Sequence, residues 1–127
     1  MIAGIGVDLV EVERLRRSRH GERLLDRLFT PRERADSEGA GRWPSLAARL
    51  AAKEAVVKAL GTGFRGISWR DIEVWRDPLG KPEVRLSGGA LTRARELGVS
   101  RVLLSLSHTG SCAIAQAVAV SGEGELL

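Results

Sequence analysis

The segment that sets the architecture of this chain is Arg49-Leu50-Ala51-Ala52-Lys53-Glu54-Ala55-Val56-Val57-Lys58-Ala59-Leu60-Gly61-Thr62-Gly63. Its alanines and aliphatic residues recur at helical spacing, and Gly61 can take the left-handed conformation that ends a helix. We therefore predict a long helix that is capped by Ser45 and ends at Leu60. The glycines that follow predict a turn whose backbone amides can line a phosphate site.

Charged side chains stand four residues apart within this helix, Glu54 with Lys58 and Arg49 with Lys53. Taken alone, each pair is typical of a solvated side-chain pair that contributes roughly 0.3 kcal/mol. Two such pairs directly before a glycine-rich turn favour a second interpretation. In it, the helix holds a carboxylate and amines toward a metal ion and phosphates.

A second carboxylate, Asp8, follows a short apolar run near the N-terminus. We predict a strand over residues 2–7, in which Gly4 and Gly6 let another backbone come close and Asp8 stands at the exit. Proteins hold Mg²⁺ with one or two carboxylates, while water and substrate phosphates complete the shell. We therefore expect Asp8 and Glu54 to hold one divalent cation together.

The other patterns predict an α+β domain, in which an antiparallel sheet packs on the alanine-rich side of the long helix. Alternation puts the alanines at 113, 115, 117 and 119 on one face of the last strand, where the helix can approach closely. The remaining predicted elements are an amphipathic basic helix from Leu9 with a break near Gly21, a capped helix over 30–39, strands near 72–74 and 84–86, a helix over 91–97, and strands over 102–108 and 112–120. We expect the tail after Ser121 to be frayed.

Length and composition fit one domain over residues 1–127. The hydrophobic content of 43% and the charged content of 28% are those of a globular protein and exclude a disordered chain. The lone Cys112 excludes an internal disulfide and suits a reducing compartment. No segment approaches the roughly 20 apolar residues of a membrane span, and no basic region precedes the first apolar run. We expect a cytoplasmic protein without a membrane partner.

A formal net charge of +4 favours an acidic partner or a phosphate ligand. Arginines line the predicted first helix at positions 14, 16, 17, 19, 23 and 27. The three tryptophans are scattered instead of interleaved with these arginines, which disfavours nucleic acid relative to an acidic protein. A solvated helix face is the other interpretation. A non-catalytic basic adaptor is therefore an alternative function, which would leave Asp8 and Glu54 without a role.

A third motif, Ser105-Leu106-Ser107-His108, places an imidazole at the end of a predicted strand. No nearby acid suggests a Ser-His-Asp triad, so nucleophilic hydrolysis is disfavoured. With Gly4-Ile5-Gly6-Val7-Asp8 and the segment 49–63, this motif stands in an order that resembles the holo-[acyl-carrier-protein] synthases. These are the short bacterial class of 4'-phosphopantetheinyl transferases. The resemblance extends from Met1 to about Val120.

The resemblance implies the 4'-phosphopantetheinyl transferase fold and a Mg²⁺-dependent reaction in fatty acid or polyketide biosynthesis. The phosphopantetheine arm of coenzyme A would move to a serine of apo acyl carrier protein, with release of adenosine 3',5'-bisphosphate. The implied catalytic residues are Asp8, Glu54 and Lys58: Asp8 and Glu54 hold Mg²⁺, and Lys58 faces the pyrophosphate. The serine proton would pass either to a water beside the metal or to Glu54.

The resemblance also implies where the partners bind. Coenzyme A would contact Arg49, Lys58, Gly61, Thr62, Gly63, Gly80, Lys81, Pro82, Ser107 and His108, with His108 at the 3'-phosphate. The carrier protein would dock on Arg14, Arg17 and Arg23. Family members are homotrimers, so we expect active sites between subunits, with the metal residues from one subunit and His108 from the next. Residues 109–112 and 64–66 depart from the family pattern and bear only on ligand contacts at those turns.

Overall fold

The computed structural model describes residues 1–122. The tail predicted to fray begins at residue 122, so the rest of it lies outside the described residues. The elements, in chain order, are β1 (Ile2–Glu11), α1 (Val12–Arg16), α2 (Gly21–Leu28), α3 (Pro31–Asp36), α4 (Arg42–Leu60), β2 (Ile72–Arg76), β3 (Pro82–Leu86), α5 (Gly88–Glu96), β4 (Val99–His108) and β5 (Cys112–Ser121). A single 3-10 turn, Trp69–Asp71, precedes β2. None of the helices in this part of the chain is long and apolar enough to span a bilayer.

The sheets are antiparallel, as predicted. One contains three strands in the order β1-β5-β4, and the other is the hairpin β2-β3. Helix α4 lies across one face of the three-stranded sheet. The alanines at 113, 115, 117 and 119 are buried on that face of β5, and the small side chains let the helix approach. The α+β class and the alternation in the last strand are therefore confirmed.

The contact between β1 and α4 leaves no room for side chains at two glycines. A methyl group on Gly4 would lie 2.0 Å from the carbonyl oxygen of Ala59, and one on Gly6 would lie 2.0 Å from that of Ala55. Both distances are far below van der Waals contact, so only glycine permits this approach. The prediction that these glycines admit another backbone is confirmed, and the backbone is that of α4.

Two of the predicted boundaries near the site are wrong. Strand β1 continues to Glu11, because its pairing with β5 runs unbroken from Gly4 to the Glu11–Cys112 pair, so Asp8 lies within the strand and not at its exit. Helix α4 begins at Arg42, with Gly41 in the capping position, because the Gly41 carbonyl already accepts a hydrogen bond from the Ser45 amide. Ser45 therefore lies in the first turn of the helix and does not cap it.

The predicted basic helix from Leu9 is replaced by the end of β1 and by two short helices, α1 and α2, with the break over residues 17–20. The capping box at the start of α3 is confirmed. The Thr30 hydroxyl accepts a hydrogen bond from the Glu33 amide, and the Glu33 carboxylate accepts one from the Thr30 amide. The predicted end of α4 at Leu60 is also confirmed, since Gly61 is left-handed with φ of 77°.

Candidate active site

The close approach of α4 to β1 brings the predicted catalytic residues together. Asp8 follows Gly6 by two residues and so points to the same face of β1, toward the helix. Glu54 and Lys58 immediately precede the two alanines, 55 and 59, whose carbonyl oxygens contact the glycines of β1. Residues more than forty positions apart therefore converge because two glycines permit the contact.

The two oxygens of the Asp8 carboxylate differ in their hydrogen bonding. The Lys58 ammonium donates to Asp8 Oδ1 at 3.2 Å and to the Val7 carbonyl oxygen at 2.8 Å. Asp8 Oδ2 is buried and accepts no hydrogen bond from the described residues. Buried carboxylate oxygens are normally satisfied by a donor or by a cation, so this oxygen is suited to coordinate a cation.

Glu54 lies beside Asp8 and is half-buried. The pKa of Glu54 is raised to about 7, chiefly by burial and then by its hydrogen bond to the Asp8 carboxyl group and the charge of that group, while the charge of Lys58 lowers it. Without a cation, Glu54 therefore keeps a proton up to near neutral pH. A divalent cation between the two carboxyl groups would favour their ionised forms and so oppose this shift.

The donor set fits Mg²⁺ better than Zn²⁺. Within residues 1–122 there is no group of three or more His, Cys, Asp and Glu side chains placed to hold one metal ion. Asp8 and Glu54 supply two carboxylates, and Mg²⁺ usually takes one or two from the protein and the rest of its shell from water and phosphates. Zinc sites usually take three or four protein ligands, including His or Cys.

Beyond Lys58, the chain enters the predicted phosphate turn. Gly61 and Gly63 both have positive φ, at 77° and 61°, and the Thr62 hydroxyl donates to the Gly63 carbonyl oxygen at 3.0 Å. The side chain of Lys58 is 56% exposed, so its ammonium group is accessible from the same side. Lys58 and the turn 61–63 therefore form a continuous surface at the C-terminal end of α4.

The other residues predicted to contact coenzyme A lie elsewhere. Arg49 is buried, and its guanidinium donates to the Ser45 hydroxyl and to the Val74 carbonyl oxygen. Burial lowers its pKa from the ordinary arginine value, while the charges of Glu33 and Asp36 raise it. The interpretation of Arg49 as part of a solvated side-chain pair is therefore wrong.

Gly80, Lys81 and Pro82 form the far end of the β2-β3 hairpin. The Gly80 carbonyl oxygen accepts a hydrogen bond from Arg76, and the Lys81 amide donates to Asp77 Oδ1 at 2.9 Å. Arg49 bonds to the middle of β2, and the hairpin continues from there toward the start of α4. Arg49 and Gly61 are separated by about 18 Å along the helix, so the hairpin tip and the glycine turn lie near opposite ends of α4.

Ser107 and His108 are exposed at the end of β4. Asp8 pairs with Ala115 and Ala115 with Leu106, so the backbone of His108 is about 12 Å from that of Asp8. His108 pairs with Ala113, which packs with Ala47 and Ala48 in the N-terminal half of α4. The predicted coenzyme residues thus fall into two groups, one at each end of this helix.

The predicted carrier-binding arginines are all exposed, Arg14 and Arg17 at α1 and Arg23 on α2. Arg17 pairs with Glu13 at 3.0 Å. An open cleft of about 460 Å³ extends from Glu54 to Arg14, and its apolar wall includes Leu24, Leu28 and Leu50. Sequence reasoning assigned leucines of this kind only to helix packing, so it missed the cleft. The one available signal was their helical spacing beside the arginines.

A buried ion pair was also missed. The Lys53 ammonium lies 2.8 Å from Glu33 Oε1, both side chains are fully buried, and burial lowers the pKa of Lys53. Lys53 also donates to the carbonyl oxygens of Trp69 and Ile72, and Glu33 accepts a hydrogen bond from the Val74 amide. The pair therefore joins α3, α4 and the second sheet. The interpretation of Lys53 as half of a solvated pair with Arg49 is wrong.

Comparisons with known proteins agree on one family. The family model of the 4'-phosphopantetheinyl transferase superfamily matches residues 4–116. A holo-[acyl-carrier-protein] synthase from Desulforudis audaxviator is 56% identical over 124 residues, which cover 94% of each chain.

Solved structures agree in the same way. The crystal structure of holo-[acyl-carrier-protein] synthase from Neisseria meningitidis covers 95% of this chain and is matched over 100% of its own, with 39% identity and a TM-score of 0.87. That of a holo-(acyl-carrier-protein) synthase from Bacillus anthracis in complex with CoA (3',5'-ADP) covers 96% of this chain and 99% of its own, with 36% identity and a TM-score of 0.79. Together with the convergence of Asp8, Glu54 and Lys58, these matches show that the chain belongs to the 4'-phosphopantetheinyl transferase superfamily.

Proposed function

We propose that this enzyme transfers the 4'-phosphopantetheine group of coenzyme A to a serine of apo acyl carrier protein. The serine oxygen forms a bond to the phosphorus that carries the pantetheine arm. The bond from that phosphorus to the bridging oxygen breaks, and adenosine 3',5'-bisphosphate leaves with the electron pair. The serine proton passes to a nearby water or to Glu54, and the products are holo acyl carrier protein and the bisphosphate.

The observation that carries this proposal is the Asp8–Glu54 pair with Lys58 beside it. Asp8 Oδ2 is buried beside the Glu54 carboxyl group, whose pKa is raised to about 7 when no cation is bound, so the pair is suited to one Mg²⁺ ion. When bound, Mg²⁺ neutralises charge that develops on the pyrophosphate oxygens. Lys58 adds a positive charge on the accessible side, and the turn 61–63 presents backbone amides. A non-catalytic adaptor would need none of these features.

The carrier protein is expected to dock on the arginines of α1 and α2. Arg14, Arg17 and Arg23 are exposed, and an acidic helix on the carrier would be complementary to them in charge. The cleft from Arg14 to Glu54 gives the serine of a docked carrier a route to the metal pair.

We propose that the enzyme works as a homotrimer. The face of the three-stranded sheet opposite α4 exposes several large apolar side chains: Ile5 is 65% exposed, Val7 53% and Leu9 62%, with Ile114 and Leu103 beside them on β5 and β4. A contiguous apolar patch of this kind marks a surface for association. We propose that this association also brings the hairpin and His108 of one copy toward Lys58 and the glycine turn of another, since one copy keeps them apart.

The direct test is a mass measurement on apo carrier protein incubated with enzyme, coenzyme A and Mg²⁺. We expect the mass of one phosphopantetheine on the carrier, and no gain with chelator or with Asp8→Asn or Glu54→Gln. The exposed Glu38→Gln serves as the matched control. No gain with the natural enzyme, or full activity of both variants, would contradict the proposal. Fatty acid and polyketide carriers compared side by side would identify the pathway.

The shared site can be tested by mixing two inactive variants. Asp8→Asn and His108→Ala each remove one side of the expected site. Random mixed trimers should recover about a quarter of the natural activity, because one site in four joins an intact Asp8 to an intact His108. No recovery in mixed trimers whose formation has been verified would contradict a site between subunits.

The oligomeric state is tested separately. Val7→Asp should convert the trimer to monomer in light scattering, whereas Ala40→Asp, on an exposed loop, should not. We also propose a cytoplasmic location, since a single cysteine suits a reducing compartment.

A further inference from the structure

Helix α5 contacts both ends of the turn that follows α4. At the first end, the Arg93 Nε donates to the Leu60 carbonyl oxygen at 3.1 Å, and Leu60 is the last residue of α4. Carbonyl groups at the end of a helix have no partner within the helix, so this bond satisfies one of them from outside. Arg93 thereby fixes the point where the backbone turns into Gly61.

At the second end, α5 meets the turn by direct backbone contact. A methyl group on Gly89 would lie 1.7 Å from the Gly66 carbonyl oxygen, so the two backbones touch. Gly89 is itself held, because its amide donates to Asp71 Oδ2 at 3.1 Å. Between the two ends, the ring of Phe64 stacks on Trp69 with centroids 3.8 Å apart.

The turn between these contacts has little secondary structure of its own. Three of its six residues are glycines with positive φ, at 61, 63 and 66. Such a segment has many accessible conformations, so its shape depends on contacts from outside. The contacts that hold this turn come chiefly from α5, which contributes none of the residues predicted to touch a substrate.

We propose that Arg93 is a positioning residue for coenzyme A. It holds the C-terminal end of α4 so that the amides of 61–63 and the ammonium of Lys58 keep one arrangement toward the phosphates. This inference rests on the proposed function, because it assigns a support to the same site. Arg95, exposed on the same helix, has no such contact and serves as the matched control.

The test measures the binding and kinetic constants for coenzyme A and for the carrier protein separately, at the natural oligomeric state. Arg93→Met, which keeps the volume but removes the donor, should raise both the KM and the directly measured Kd for coenzyme A about tenfold. That factor is expected at most from the loss of one partly buried hydrogen bond. The kcat and the KM for carrier protein should stay within about twofold. Arg93→Gln, which retains a donor, should recover most of the affinity, and Arg95→Met should match the natural enzyme.

A second variant approaches the turn from its other end. Gly89→Ala forces the Gly66 backbone to move and should weaken the binding of coenzyme A in the same way. Gly41→Ala, with open space around it, should leave that binding unchanged. The inference is overturned if Arg93→Met leaves the Kd within twofold of the natural value. It is also overturned if that variant lowers kcat and carrier affinity as much as coenzyme A affinity.

Failure of the proposed function would look different. If the natural enzyme bound coenzyme A without transferring its arm, the function would fail, and the Kd values would still decide the role of Arg93. If the natural enzyme did not bind coenzyme A, both would be overturned.

Discussion

Binding of Mg²⁺ should displace a proton from Glu54. The pKa of Glu54 sets the average number of protons released at each pH. With a pKa of about 7, the Glu54 carboxyl group is protonated in about 0.9 of metal-free molecules at pH 6, about half at pH 7 and about 0.1 at pH 8. A metal ligand must be deprotonated, so these fractions equal the protons released for each ion bound. The same competition should raise the apparent Mg²⁺ affinity about tenfold between pH 6 and pH 8.

Titration calorimetry in buffers of different ionisation enthalpy measures the protons released. The metal-free enzyme is titrated with MgCl₂ at pH 6, 7 and 8, and the slope of enthalpy against buffer ionisation enthalpy gives the number. Glu54→Gln should bind Mg²⁺ more weakly and release no proton at any of these pH values. Glu38→Gln, at an exposed position, should behave as the natural enzyme does.

Release of fewer than about 0.3 protons at pH 6, or an affinity that changes less than twofold between pH 6 and pH 8, would contradict a Glu54 that is protonated near neutral pH. Either result would mean that Glu54 is already ionised without the cation. A failure to detect any Mg²⁺ binding would refute the assignment of Asp8 and Glu54 as ligands.

Three further predictions concern stability and packing. In chelator, the free energy of unfolding should fall by about 1–2 kcal/mol as pH rises from 5 to 8. The sign follows from the raised pKa of Glu54, whose stabilising contribution is complete below pH 4.5 and lost through pH 7; chemical denaturation of Glu54→Gln should show no such slope. Gly6→Ala should destabilise the fold by about 3 kcal/mol and weaken Mg²⁺ binding, because α4 must move away from β1, and unchanged binding would contradict this. Lys53→Met should cost about 3–5 kcal/mol by leaving Glu33 buried and unpaired, and adding Glu33→Gln should restore part of that loss in a double-mutant cycle.

The sequence was sufficient for much of the fold because several elements have strong local signals. The capping box at Thr30, the glycine stop at Gly61 and the alternation of small residues in β5 each depend on neighbours within a few positions. The convergence of Asp8 and Glu54 was predicted from two carboxylates and two glycine-containing motifs. The roles of the individual site residues remain predictions.

The errors have physical causes. Strand β1 carries apolar residues on both faces, so Leu9 with Val12 and Leu15 imitated the spacing of a helix, and the true end of the strand was missed. Lys53 was interpreted by its spacing from Arg49, whereas its partner Glu33 lies twenty residues upstream and is brought near only by packing of α3 on α4. The leucine cleft likewise depends on how two short helices lie against α4.

The contact of Gly4 and Gly6 with α4 divides β1 into two sets of positions with different freedom to change. Even-numbered positions 4, 6 and 8 set the distance between strand and helix and the place of a carboxylate, so a substitution there alters the metal pair. Odd-numbered positions 5, 7 and 9 face away from α4 and can be redesigned without moving either carboxylate. Substitutions at the odd-numbered positions can therefore test association between copies while the two carboxylates within each copy stay in place, on one strand of ten residues.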